Sequence, residues 1–110
     1  MDLTRGDIVV VVASGDFGKP RPAVVVQSDF LNDSQATIIV CLITSDLQDA
    51  PAFRVTLAPT AGNGLKKRSQ IMVDKVATLP RSRIRTKIGI LTTAQRGEMD
   101  ASLRLCLGLI

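Results

Sequence analysis

Apolar residues in this chain come in short, dense runs separated by polar turns. Asp7-Ile8-Val9-Val10-Val11-Val12-Ala13, entered through Gly6, is too short for a stable solitary helix and too β-branched to prefer one. It predicts a first strand. Ala23-Val24-Val25-Val26 is apolar at every position, the pattern of a strand buried on both faces, and a second strand is predicted over 22–27. Ser28 to Ser34 is polar with two apolar anchors and reads as a turn or short helix capped by Ser28. A third strand, 36–43, is apolar on both faces and stops abruptly at Thr44-Ser45-Asp46. Phe53-Arg54-Val55-Thr56-Leu57 alternates, which predicts a fourth strand with one wet face. The turn signal Pro59-Thr60-Ala61-Gly62-Asn63-Gly64 precedes a fifth strand, 69–74. A last short strand is predicted over 87–91.

The period changes at Thr92. Thr92 followed by Gln95 fits a capping box. Met99, Leu103, Cys106, Leu107 and Ile110 then fall on one face of an amphipathic helix. Leu105 and Leu109 lie outside that stripe. A second apolar side on a terminal helix fits contact with another subunit or deeper burial in the same core. Short strands and one late helix give a mostly β chain with a C-terminal α-helix (α+β), a small barrel with an appended helix. At 110 residues it suits one domain, 1–110.

Composition narrows the chemistry. Apolar residues make up 45% of the chain, enough for a packed core. No apolar run approaches the ~20 residues that span a bilayer, and Met1 to Asp7 lacks the layout of a signal peptide, so a cytoplasmic protein is expected. Cys41 and Cys106 each sit in an apolar run and read as buried thiols. With no His and no Cys pair at ligand spacing, neither a zinc site nor another cofactor is expected. The net charge of +4 favours a polyanionic partner. Phe17, Phe30 and Phe53 are the only aromatic residues, too few for a broad base-stacking platform.

The most informative stretch is Lys19-Pro20-Arg21-Pro22. Proline fixes its own φ and pushes the preceding residue towards an extended conformation, so both prolines limit the backbone freedom of Arg21. A guanidinium held at the root of a central strand, beside the loop Ser14 to Gly18, suits recognition of phosphate or carboxylate. Without His, a Ser-His-Asp triad and a two-His phosphodiesterase are excluded. What remains is Arg21, the polar strand ends Thr44-Ser45 and Asp74-Lys75, and basic segments at 66–68 and 81–87. This kit serves a phosphodiester reaction whose substrate supplies its own nucleophile, as RNA does through its 2′-hydroxyl. A bidentate Arg stabilises developing phosphoryl charge, and a hydroxyl such as that of Thr44 can hydrogen-bond a phosphate oxygen.

Arg5-Gly6-Asp7-Ile8-Val9, KPRPAVVVQSD over 19–29, Ile43-Thr44-Ser45, and Ser69 to Leu79 followed by Arg83-Ile84 together resemble the MazF/PemK family of toxin–antitoxin endoribonucleases. The match covers nearly the whole chain, in order. The resemblance implies an SH3-like β-barrel of the MazF/CcdB type with a C-terminal helix, acting as a homodimer. It implies metal-independent, sequence-specific cleavage of single-stranded RNA, mostly mRNA, leaving 2′,3′-cyclic phosphate and 5′-hydroxyl ends. It also implies a cognate antitoxin that blocks the RNA groove. The family's catalytic Arg falls on Arg21 and its catalytic Thr or Ser on Thr44. An acid used by some members falls on Asp74, and Asp16 is the alternative acid or base. Lys19, Ser45, Lys66, Lys67, Arg68 and Lys75 are the candidate RNA contacts.

The chain departs from the family pattern at Met72, Lys75 and Ala77, and in the short loop before Arg21. These departures leave Arg21 and Thr44 in place and the general base open. Two other readings share the fold. A gyrase poison of the CcdB kind ends in Trp-Gly-Ile, whereas this chain ends Leu-Gly-Leu-Ile and has no Trp. A non-catalytic SH3-like relative would bind through aromatic residues that are scarce here.

Overall fold

The β-branched runs pair as the pattern predicts. The computed structural model describes residues 1–12, 19–32 and 34–109. Six strands, β1 (Asp7–Val12), β2 (Pro20–Val25), β3 (Thr37–Thr44), β4 (Arg54–Leu57), β5 (Ser69–Pro80) and β6 (Ile84–Ile90), form one antiparallel sheet. Their order is β4-β5-β3-β2-β1-β6. One helix follows, α1 (Thr93–Leu107). Its start is the predicted capping box: Gln95 N–H donates to Thr92 Oγ1 at 3.1 Å, and Thr92 N–H donates to Gln95 Oε1 at 2.9 Å. A 3₁₀ turn, Asp29–Leu31, is capped by Ser28, whose Oγ accepts from Phe30 N–H at 3.2 Å.

The central strands bury both faces. Ile8, Val24, Cys41, Ile43, Ile71 and Val73 pack with Met99 and Leu103 of α1. Val9, Val11, Ala23, Val25, Ile38 and Val40 form a second core on the opposite face, with Leu79 and Ile84 against it. The sheet is not the closed barrel that was expected, since among the described residues no ladder joins its edges β4 and β6. A loop spans the gap instead. Ile90 N–H donates to Gly62 O at 3.0 Å, and a Cβ on Gly89 would stand 2.4 Å from that same oxygen.

Several strand limits move for physical reasons. β2 starts at Pro20, because the prolines pair with β1 (Pro20 with Val12, Pro22 with Val10) without entering the ladder with β3. β5 runs 12 residues where six were expected. Its first part pairs with β4 on one side and the end of β3 on the other, its later part pairs with β3 alone, and a register irregularity opposite Cys41 to Ile43 lies between. β6 begins at Ile84, within the arginine-rich segment.

Two burial expectations are overturned. Alternation puts Arg54 on the wet face of its strand, yet it is 8% exposed, covered by the chain that leaves β3. Cys106 is exposed, because α1 buries Met99, Ser102 and Leu103 while its last turn stands clear of the sheet. Leu105, Leu107 and Leu109 are exposed there too. Cys41 is fully buried, and burial pushes its thiol from 9.0 up to about 12. Iodoacetamide at pH 8 is therefore expected to label Cys106 alone in the native protein and Cys41 only on unfolding. Two rapidly labelled native thiols would contradict this burial. The folded state holds the Cys41 proton that the unfolded chain releases, so this residue's contribution to stability is intact below about pH 9. It is lost as pH rises from there towards 12.

Candidate active site

The proline pair that orders Arg21 also opens the site. The β2–β3 ladder begins at Ala23, opposite Leu42. Pro20 and Pro22 have no N–H to extend it, so the two strands part below that point. Continuing the register by two residues sets Arg21 across from Thr44. A cleft of about 420 Å³ lies there, lined by Arg21 between its prolines, by Ile43, Thr44 and Ser45 at the end of β3, and by Lys66 and Lys67. Val10 and Ile88 contribute apolar wall. Among the described residues every charged side chain lining it is a cation, which concentrates positive potential where the sheet opens.

Thr44 is half-buried. Its Oγ1 accepts from Asp46 N–H at 3.0 Å, which occupies one lone pair and leaves the hydroxyl proton to donate elsewhere. The lysines are carried by a turn built on Asn63, which is 2% exposed. Asn63 Oδ1 accepts from Thr60 N–H and Leu65 N–H, each at 3.0 Å, and Asn63 Nδ2 donates to Ala58 O at 2.8 Å. Gly64 takes φ +69°, and a Cβ there would stand 2.2 Å from Ile88 O, so only glycine lets this turn seat against β6.

Of the residues singled out from sequence, Arg21, Thr44, Ser45, Lys66 and Lys67 converge on this cleft. Lys19, Arg68 and Lys75 are exposed and do not line it. Asp74 is exposed and also does not line it. It follows Ser69 by five residues, about 17 Å along an extended strand, and lies near enough to Cys41 to raise its thiol further. Asp16 lies outside the described residues. No residue of the basic segment 81–87 lines the cleft, and its cations Arg81 and Lys87 hold the fold. Arg81 Nε donates to Gln35 O at 2.8 Å and Arg81 Nη2 bonds Asn32 O, tying down the loop before β3. Lys87 Nζ pairs with the buried Asp7 carboxylate at 3.2 Å.

Sequence reasoning missed Arg54 and Gln70. Arg54 Nη1 donates to Asp46 O and to Gln70 Oε1, each at 3.1 Å. Gln70 reaches Gln48 from both sides: Oε1 accepts from its N–H at 2.9 Å and Nε2 donates to its carbonyl at 3.0 Å. Strand alternation marked Arg54 as solvated, and no local pattern signals a side chain that will be roofed by a distant loop.

A second recess, of about 430 Å³, lies between the sheet and the end of α1, lined by Val26, Ile39, Val76, Leu103, Leu107 and Leu109 with Arg5, Asp100 and Arg104 at its polar side. Arg5 Nη1 pairs with Asp100 Oδ1 at 2.7 Å and fixes the helix to the N-terminal turn.

Comparisons with known proteins give one consistent result. The family model described as PemK-like, MazF-like toxin of type II toxin–antitoxin system matches residues 4–107. A probable endoribonuclease MazF from Mycolicibacterium smegmatis is 37% identical over 108 residues, covering 97% of this chain and 98% of that protein. Endoribonuclease MazF from Staphylococcus epidermidis is 29% identical over 111 residues, covering 97% and 92%. Among solved structures, a mycobacterial endoribonuclease in complex with its cognate antitoxin superposes with a TM-score of 0.85 at 20% identity, over 99% of this chain and 98% of that one. A MazE–MazF structure from Deinococcus radiodurans gives 0.82 at 24% identity, over 100% and 99%. At those identities the structural matches speak for the fold alone.

Proposed function

The chain belongs to the PemK-like, MazF-like toxin family of type II toxin–antitoxin systems, and on that premise we propose that it is an endoribonuclease that cuts single-stranded RNA in this cleft. The observation that carries the reading is the convergence of Arg21, Thr44, Lys66 and Lys67 where the β2–β3 ladder ends.

The RNA supplies the nucleophile. Its 2′-oxygen attacks the adjacent phosphorus as the bond to the 5′-oxygen breaks, leaving a 2′,3′-cyclic phosphate and a 5′-hydroxyl. Arg21 stabilises the charge that grows on the phosphorane oxygens and stands as the proton donor to the leaving 5′-oxygen. The Thr44 hydroxyl donates to a non-bridging oxygen or the ribose. Lys66 and Lys67 neutralise neighbouring phosphates, and Ser45 adds a polar contact. Asp16 is the proposed acceptor of the 2′-proton. Asp74, with Lys19, Arg68 and Lys75, is assigned to nucleotide contact beyond the cleft. Since the substrate brings its nucleophile and the protein brings the charge, the reaction proceeds in EDTA.

Two partners follow from family membership. The exposed Leu105, Leu107 and Leu109 and the adjoining recess support a homodimer, and a cognate antitoxin is the neutralising partner. The proposed location is the cytoplasm; among the described residues no helix is long and apolar enough to cross a membrane.

The test is the chemistry of the ends. Fragments made in EDTA are expected to accept 5′-phosphate from polynucleotide kinase directly, as 5′-hydroxyl ends do, and to carry a cyclic phosphate at the other end. Fragments bearing 5′-phosphates would contradict the mechanism.

A further inference from the structure

We propose that Arg54 is a positioning residue for the cleft: acting through the Asp46 backbone, it holds the Thr44 hydroxyl in its donating orientation. The inference rests on the reading of Thr44 as a substrate-binding hydroxyl.

Thr44 is the last residue of β3, and the chain after it is exposed through Asp49. A strand-end hydroxyl in such a place ordinarily samples several rotamers. Here the following loop is fastened at three backbone atoms. Asp46 O accepts from Arg54 Nη1, while Gln48 N–H and Gln48 O both bind the Gln70 side chain. The two anchoring side chains are joined by the Arg54 Nη1 bond to Gln70 Oε1, and Gln70 Nε2 also donates to Thr56 Oγ1 at 3.2 Å. Gln70 pairs with Thr44 across β5 and β3 and with Thr56 across β5 and β4, so the network is rooted in the ladder itself.

Residue 46 transmits the constraint. Its carbonyl is held by Arg54 and its N–H is the donor to Thr44 Oγ1. With that lone pair engaged, the Thr44 oxygen is held in place and its proton is left to bond a substrate oxygen. The brace has the character of a specific device. Arg54 is 8% exposed, its Nε makes no hydrogen bond among the described residues, and the bonds of its Nη1 go to neutral oxygens. Asp49 and Glu98 line the recess around it and offer diffuse counter-charge without an ion pair among the described residues. An apolar residue would be the simpler way to fill that space.

The test is a cycle of Thr44→Val and Arg54→Met, read in steady-state and single-turnover cleavage of a defined RNA. A misplacement of about 1 Å at a reacting group costs up to ~10²-fold. Arg54→Met is therefore expected to lower kcat by about 10- to 100-fold with KM within about threefold. The double variant should be no slower than Thr44→Val alone, because the brace has nothing left to position. Losses that multiply, or an Arg54→Met enzyme as fast as wild type beside a crippled Thr44→Val, would overturn the brace while sparing the Thr44 assignment. A fully active Thr44→Val would overturn both. Amide exchange in the wild-type protein gives a check independent of any variant's folding. The Asp46 N–H, on an exposed turn, should exchange at least about tenfold slower than in a free chain, and exchange at the free-chain rate would overturn the proposal.

Discussion

Replacing Arg21 by alanine is expected to lower RNA cleavage by at least ~10²–10³-fold, the cost of removing a preorganised donor from developing oxyanion charge. The fold should survive. Arg21 is exposed at the strand root, β2 is held by its pairing with β1 and β3, and the core contribution of the strand comes from Ala23, Val24 and Val25. A stability change within about 0.5 kcal/mol is expected, as for other exposed substitutions. Arg21→Lys keeps the charge but loses the planar fork, so it should recover only part of the rate. Initial rates on a defined RNA, beside thermal unfolding followed by circular dichroism, check both halves. An Arg21→Ala protein of full activity would remove the centre of the mechanism.

The largest expected effect on stability lies elsewhere, at Gly64. Alanine there would have to hold φ +69° and place its Cβ 2.2 Å from Ile88 O, a backbone atom of β6 that cannot swing aside. Left-handed backbone costs an L-residue about 1–2 kcal/mol. With the collision, a loss of about 2–4 kcal/mol is expected, in the range of mutations that break a special backbone position. At about 4–8 °C per kcal/mol for a domain of this size, the Tm should fall by roughly 10–25 °C. The site should feel it as well. The turn carries Lys66 and Lys67, so KM for RNA should rise even at temperatures where the variant is folded. Gly97→Ala is the matched control. Gly97 is exposed within α1 with nothing within 4 Å of a Cβ, and the change should stabilise the protein by about 0.5–1 kcal/mol. Thermal melts of the two variants should therefore move in opposite directions.

Much of this was legible in the residues because local chemistry decided it. Pro20 and Pro22 marked Arg21 as extended backbone, where it pairs with Val11 of β1. The abrupt change from Ile43 to Thr44-Ser45 marked a strand end, and Thr92 with Gln95 marked the helix start. Each signal acts within a few residues, so no tertiary information was needed. What escaped depends on parts far apart in sequence. Arg54 looked solvated by alternation, yet the chain around Asp46 to Gln48 folds over it. The second half of β5, beyond the predicted end at Asp74, is a strand because β3 offers it a partner edge. Arg81 resembled part of a basic patch but satisfies loop carbonyls at Asn32 and Gln35. Cys106 followed the helical stripe, whose final turn extends past the sheet that would have covered it.

In the proposed reaction the protein supplies charge and position while the RNA supplies the nucleophile. The decisive experiment uses an RNA carrying a single 2′-deoxynucleotide on the 5′ side of a mapped cut. In EDTA this RNA is expected to bind as well as its all-ribose parent and to resist cutting at that phosphate, while other sites are cut normally. Cleavage at the modified phosphate at the parental rate would show that the nucleophile comes from elsewhere and would rule out attack by the 2′-hydroxyl.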